Sequence, residues 1–304
     1  MIRLAALLLM AGAARADIAA ITSQNAGMLT LVQTESLEVL ASAPLPGKPA
    51  AVAMDAARGR VMAVAVETGR LHIFDLAGKP LAEWPIVGAP FGLAIRPGVG
   101  TALITDQADA VLREIDPATG KELAQWRTGA LPSGVAEGGG VIVVANRDGN
   151  SVSVIRGDAV QEIAVGQHPF GVTLLGNRAF VTDVLSDQVS VIDLAEGRVI
   201  ATIPTGERPY ATAFAAGRGF VTNQYDESLT VFDAQSLKVL GRIETDEYPE
   251  GIATTAEGQV LVANWFSDTL QVIDPVAMQV VDRLDMPEGP RAFGAFTGVG
   301  TGAP

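Results

Sequence analysis

The sequence predicts an all-β protein, a seven-bladed β-propeller of four-stranded antiparallel blades, on three observations. Prolines recur about 40 residues apart, at Pro49, Pro90, Pro132, Pro169, Pro209, Pro249 and Pro290, which is the period of a propeller blade. Short alternating segments end in phase with them, at Gln33, Asp75, Asp116, Arg156, Asp193, Asp233 and Asp274. Within each repeat apolar residues alternate or run continuously over a few positions bounded by Gly, Asn and Asp, and no i, i+3, i+4 stripe interrupts them.

The elements follow in order from the start of the chain. Arg3, the apolar run Leu4 to Ala14 and the small residues Ala14 and Ala16 read as a secretory signal peptide over residues 1–16, cut after Ala16. The run is too short to span a bilayer, so no transmembrane segment is expected in the mature chain. Residues 17–304 then form one propeller. Five of the seven prolines stand three residues after a glycine: Gly47, Gly88, Gly129, Gly166 and Gly206. Each Gly-x-x-Pro link leads into a first strand, such as Tyr210 to Phe214. A hairpin follows, with a glycine (Gly59, Gly98, Gly139, Gly176, Gly217, Gly258, Gly298) to supply positive φ. The second strand ends in a polar residue, and third and fourth strands complete the repeat. The first repeat has only three strands, Ile18 to Thr22, Met28 to Val32 and Glu38 to Ala43, whereas the chain ends in a spare first strand, Arg291 to Phe296. The tail is therefore expected to supply the innermost strand of the first blade and close the ring, removing exposed edges.

Composition narrows the chemistry. No cysteine is present, which excludes disulfide frameworks, thiolate zinc sites, iron–sulfur clusters and Cys nucleophiles. Net charge is −13, more acidic still without Arg3 and Arg15, and disfavours nucleic acid as a partner. No Gly-x-Ser-x-Gly occurs, and the two histidines, His72 and His168, cannot build a multi-histidine metal site. His72 lies in the third strand Leu71-His72-Ile73-Phe74 and is expected to face outward. The calcium-loop-like Asn146-Arg147-Asp148-Gly149-Asn150-Ser151 lacks the glycine and the bidentate carboxylate such loops need. Equivalent links read Asp183 to Asp187, Asn223 to Asp226 and Asn264 to Asp268, as turn chemistry would require. Neither a catalytic constellation nor a metal or cofactor set is expected.

Phe220-Val221-Thr222-Asn223 followed by Leu229-Thr230-Val231-Phe232-Asp233 resembles the YVTN β-propeller repeat, and Phe180-Val181-Thr182-Asp183 and Leu261-Val262-Ala263-Asn264 are related versions. Glu67-Thr68-Gly69 departs from the pattern in an early repeat. The resemblance implies an exported bacterial seven-bladed propeller of the quinoprotein amine dehydrogenase-like superfamily. Its members include periplasmic propellers of unknown role, a nucleic-acid-binding one and propellers accompanying quinoprotein oxidation systems.

In a propeller the links before the first strand and between the second and third strands emerge on one face. That upper rim carries His168, Phe170, Arg208, Tyr210, Tyr225, Tyr248, Glu250, Trp265 and Arg291. Aromatic rings beside Arg, Glu and His make an interaction patch, or the same rings seal neighbouring blades. The expected function is that of an exported, monomeric, non-catalytic binding or scaffold protein, periplasmic or secreted, which engages a protein partner or a small ligand at this rim. The alternative is an accessory or redox-cofactor-binding propeller associated with periplasmic quinoprotein oxidation, with His168 as the first ligand to test.

Overall fold

The computed structural model describes residues 17–299; the signal peptide expected over residues 1–16 lies outside them. Seven four-stranded antiparallel sheets succeed one another, each ordered from an inner to an outer strand. Blade 2 runs through Pro49–Asp55, Arg60–Ala65, Arg70–Asp75 and Pro80–Pro85, and blade 3 through Pro90–Ile95, Ala102–Asp106, Val111–Ile115 and Glu122–Arg127. Blade 4 comprises Pro132–Gly138, Val141–Asn146, Ser151–Arg156 and Ala159–Ala164, and blade 5 comprises Pro169–Leu175, Arg178–Asp183, Gln188–Asp193 and Arg198–Pro204. In blade 6 the strands are Pro209–Ala215, Arg218–Asn223, Ser228–Asp233 and Val239–Glu244; in blade 7 they are Pro249–Thr254, Val260–Asn264, Thr269–Asp274 and Gln279–Asp285. Blade 1 is assembled from both ends of the chain: Thr297–Val299, Asp17–Ser23, Met28–Gln33 and Val39–Pro44. Among the described residues the one helical element is the short 3₁₀ turn Ala56–Arg58.

Burial explains the hydrophobic patterns. Middle strands are covered on both faces by neighbouring blades, so they read as continuous apolar runs: Arg178–Asp183 and Ser228–Asp233 are buried along nearly all their length. Outer strands such as Val239–Glu244 are mostly exposed. Phe180, Phe220 and Phe232 are fully buried, and burying each ring stabilises the fold by about 1.5–3 kcal/mol. Gly219 makes room for one of them, since a Cβ there would lie 2.0 Å from the Phe232 ring.

The Val-Thr-Asn signature acquires a mechanical meaning. Its threonine links one blade to the next: Thr182 Oγ1 accepts the Gly171 amide of its own blade (2.8 Å) and donates to the Tyr210 carbonyl of the next (2.9 Å). Thr105 joins Gly92 to Ser133 in the same way, and Thr222 joins Ala211 to Glu250. Small residues beside these bonds let inner strands approach: a Cβ on Gly171 would sit 2.4 Å from the Tyr210 carbonyl oxygen. The asparagine pins the link that follows it. Asn223 Nδ2 donates to Ser228 and Thr230 hydroxyls at 3.0 Å each, and Asn146 does so to Ser151 and Ser153. Gly129 and Gly206 of the Gly-x-x-Pro links pack directly on those amides. Asn146 is thus buried inside a turn bracket.

The ring closes through the tail, though not with the strand the sequence predicts. Thr297, Gly298 and Val299 pair with Ala19, Ile18 and Asp17, so Gly298 is a strand residue and not the seventh hairpin glycine. The segment expected as that strand, Arg291 to Phe296, is drawn out as a wedge between blades. Pro290 bridges Ser23, after which Phe293 pairs in parallel with Ala51 of blade 2. Val52 and Met54 donate their amides to the carbonyls of Phe293 and Ala295 at 2.9 Å each. The extra residues carry the Phe293 ring into the centre of the molecule. A second correction concerns His72, which is only 8% exposed and not outward-facing. It lies in a middle strand, stacked on Phe74 with Nδ1 3.7 Å from Glu83.

Candidate functional site on the upper face

Four rings meet at the upper end of the channel. Phe91, Phe170, Tyr210 and Phe293 come from blades 3, 5 and 6 and from the tail. Their centroids stand 4.4 Å apart for Phe170–Tyr210, 5.0 Å for Phe170–Phe293 and 5.7 Å for Phe91–Phe170. Such tilted and edge contacts are the favourable arrangement of aromatic quadrupoles. The rings plug the channel, and Tyr210 is only 3% exposed.

A polar network sits on the plug. Arg291 donates through Nε and Nη2 to the Tyr210 hydroxyl (3.0 and 2.8 Å) and through Nη1 to Gln24 Oε1 (3.1 Å). Its Nε is 2.9 Å from Glu250 Oε2, and Gln224 Nε2 donates to Glu250 Oε1 at 2.8 Å. Burial works against the charge on Arg291, but Tyr210 and Glu250 hold its pKa above the ordinary value. Desolvation pushes the Tyr210 phenol up, so the hydroxyl stays protonated beside the guanidinium.

Around this network an aromatic arc follows the links of blades 6 and 7. Tyr225 and Tyr248 centroids are 5.7 Å apart, Tyr248 lies 4.8 Å from Phe266 and 5.8 Å from Trp265, and the Arg208 guanidinium covers Tyr225 at 5.5 Å. Tyr225 and Phe266 are 58% and 59% exposed. Burial, and next the neighbouring Tyr225, push the Tyr248 phenol up to about 12. Trp265 Nε1 is buried beside Gly289 and makes no hydrogen bond.

Backbone geometry aims the rim side chains. His168, Arg208 and Tyr248, each just before a ring proline, have φ of 58°, 57° and 60°, a left-handed conformation costing roughly 1–2 kcal/mol per residue. Hydrogen bonds within the links offset it. The amides of His168 and Arg208 donate to Asn150 Oδ1 and Asp187 Oδ1 at 2.9 Å, and the Tyr248 carbonyl accepts from the Trp265 amide at 2.9 Å. Burial, followed by Arg147, lowers the pKa of His168.

The structure therefore divides the predicted residues by depth. Phe170, Tyr210 and Glu250 are buried in the plug and network, with Arg291 mostly enclosed. Arg208, Tyr225, Tyr248 and Trp265 are brought together in the arc, and Phe266 joins them there. His168 stands apart from the arc, in the link between blades 4 and 5.

A second feature is absent from the sequence reading. Below the plug the channel opens toward the hairpin face as a cavity of about 710 Å³. Its wall includes Ala53, Ala94, Ala136, Thr173, Ala213 and Ala253, all four residues after a ring proline. That run of small side chains at one repeat position is the signal that could have revealed it.

No protein family and no curated protein matches the sequence. Solved structures do. The chain is similar to a functionally unknown protein from Desulfotomaculum acetoxidans DSM 771 at 16% identity, covering 90% of this chain and 98% of that one with a TM-score of 0.78. It is also similar to dihydro-heme d1 dehydrogenase NirN in complex with DHE, at 18% identity, 91% of this chain, 65% of that chain and a TM-score of 0.67. Streptogramin B lyase aligns at 14% identity over 83% of this chain and 92% of its own, with a TM-score of 0.71. The protein is a seven-bladed β-propeller, and at these identities the likeness establishes the fold alone. No helix among the described residues is long and apolar enough to cross a membrane.

Proposed function

We propose that the protein is an exported YVTN-type propeller that works by binding, without catalysis, and that its upper rim holds a protein partner presenting basic side chains. The single observation carrying this reading is the arc of Tyr225, Tyr248 and Phe266, two of whose rings are more than half exposed while the Tyr225 and Tyr248 backbones are tied into the links. Rigid exposed rings supply contact area at small entropic cost. The surroundings favour a cation: Glu207, Glu227 and Glu247 are exposed in the same links, and none has an ion-pair partner among the described residues. Arg208 already shows a guanidinium over a ring of the arc, the geometry a partner's Lys or Arg would repeat.

Titration with a lysine-rich peptide, read by the fluorescence of Trp265 within the arc, tests the proposal. A saturable change that weakens with salt, and weakens at least about tenfold in the Tyr225→Ala/Phe266→Ala double variant, is expected. A glutamate-rich peptide binding equally well would overturn it. Export is tested separately, by N-terminal sequencing of the mature protein, which should begin at Asp17.

The alternative, a redox-cofactor-binding propeller, draws on the fold shared with NirN and on His168. The residues fit it poorly. On the upper face four aromatic rings occupy the channel, His168 stands apart from them, and among the described residues no group of three His, Cys, Asp or Glu could hold a metal ion.

A further inference from the structure

The lower cavity is independent of the upper rim, separated from it by the plug. Its inner wall offers methyl and methylene groups and few free polar atoms. Thr173 Oγ1 donates to the Thr212 carbonyl, Thr254 Oγ1 to the Phe214 carbonyl and Thr297 Oγ1 to the Thr254 carbonyl, at 2.7, 2.8 and 2.8 Å. These hydroxyls are occupied in holding inner strands together. Phe293 forms the inner end. Ala295 is exposed although it lies within the wall, because its side chain faces the empty volume.

Charged groups stand among the residues lining this space. Asp55 is paired with Arg58 and Arg60, and Arg96 with Glu114. Glu137 differs. Its Oε1, toward the exposed side, accepts the Gly140 amide at 3.0 Å, its Oε2 is enclosed and makes no hydrogen bond, and among the described residues no cation pairs with the carboxylate. An apolar chamber of this size with one uncompensated carboxylate on its wall suits an elongated amphiphile of the opposite sign.

We propose that the lower cavity binds a small molecule with an aliphatic body and a cationic amine head, the body packed against the plug and the amine placed at Glu137. The hydrocarbon supplies affinity by leaving water, and the carboxylate selects an amine over an alcohol or an acid of the same length.

Nile red, a neutral fluorophore that brightens in apolar surroundings, is the probe. The protein should take it up, and decylamine should displace it at concentrations about tenfold below those of decanol, with decanoate weaker again. Glu137→Gln should abolish the advantage of the amine while leaving displacement by decanol unchanged. Ala295→Trp, or Ala136→Trp if that variant fails to fold, should abolish uptake with the far-ultraviolet circular dichroism unaltered. Tyr225→Ala/Phe266→Ala should leave uptake intact, so failure here is distinguishable from failure of the rim. Unchanged uptake in a folded tryptophan variant, no uptake by the parent protein, or decanol matching decylamine would each refute the proposal.

Discussion

Arg291 donates two hydrogen bonds, 3.0 and 2.8 Å long, to the hydroxyl of Tyr210, a residue 81 positions earlier in the chain. The contact ties the closing segment of the ring to the inner strand of blade 6. It also joins two layers, because the Tyr210 ring belongs to the aromatic plug while its oxygen belongs to the polar network above. Glu250 and Gln24 complete the guanidinium's surroundings, so a charge introduced by the last link of the ring is met by groups from blade 1, blade 6 and blade 7.

Removing only the oxygen isolates that function. Tyr210→Phe keeps the ring contacts and leaves two donors of a mostly buried cation without their acceptor, which should destabilise the fold by about 1–3 kcal/mol. Denaturant unfolding measures the loss. An unchanged midpoint would show that water or Glu250 takes over the freed donors.

The plug and the arc respond differently to truncation. Phe170→Ala removes a buried ring contacting Phe91, Tyr210 and Phe293 and should cost about 3–5 kcal/mol. Tyr225→Ala and Phe266→Ala remove exposed rings and should each change stability by no more than about 0.5 kcal/mol. Thermal unfolding of the three variants separates packing from surface, and a large loss at Tyr225 would mean that the arc is structural.

The threonine bridges make a similarly local prediction. Thr182→Val preserves shape but strands the Gly171 amide and the Tyr210 carbonyl, both buried between blades 5 and 6, at a cost of about 1–3 kcal/mol. Hydrogen exchange at the Gly171 amide should accelerate in this variant. Amides of blade 3, held by Thr105, should keep their protection.

These contrasts locate what the sequence could and could not convey. Thr222 and Asn223 were legible because several blades use the same bonds, through Thr105 and Thr182 at the threonine position and Asn146 and Asn264 at the asparagine position. Tyr225, Tyr248 and Trp265 were legible as rim residues because the links that carry them are set by topology. The depth of Tyr210, Phe170 and Glu250 was not, since a residue after the ring proline is exposed in a wide ring and buried in a narrow one, and the radius comes from packing of all seven blades. The lower cavity eluded the sequence reading for the same reason: it is unfilled volume beside Ala53, Ala94 and Ala136, which lie about 40 residues apart. His72 was misplaced because alternation reports an outward face only in an outer strand. In the third strand of a blade both faces meet neighbours.

One repeat position carries opposite electrostatics in two blades, and pH should expose the difference. At the end of the second strand, Asp106 accepts from Arg113 Nε and Nη2 (3.0 and 2.7 Å), whereas Asp183 accepts from Ser190 Oγ and Gln188 Nε2 (2.6 and 3.1 Å) and pairs with no cation among the described residues. Burial raises the pKa of Asp183 above its ordinary value of 3.8, a rise its hydrogen bonds only partly offset. Burial also acts on Asp106, but the amide of Ala89 and the Arg113 guanidinium hold it below that value. A carboxyl whose folded pKa is raised binds protons more tightly in the native state, so its contribution to stability falls as pH rises from the unfolded pKa through the folded one. A carboxyl with a lowered pKa contributes stability above the unfolded value and loses it as pH falls through the folded one. Asp183→Asn should therefore stabilise the protein by roughly 1 kcal/mol at neutral pH. The amide can donate to Ser190 and Gln188 as Asn264 does to Thr269 and Gln271. The gain should shrink as pH falls toward 3.8. Asp106→Asn should instead cost roughly 2–3 kcal/mol at neutral pH by weakening the pairing of buried Arg113, with the deficit shrinking in acid. Urea unfolding of both variants across the acidic range checks the two slopes, and slopes of the same sign would show that the Asp183 carboxylate is compensated by a group outside its hydrogen-bond partners.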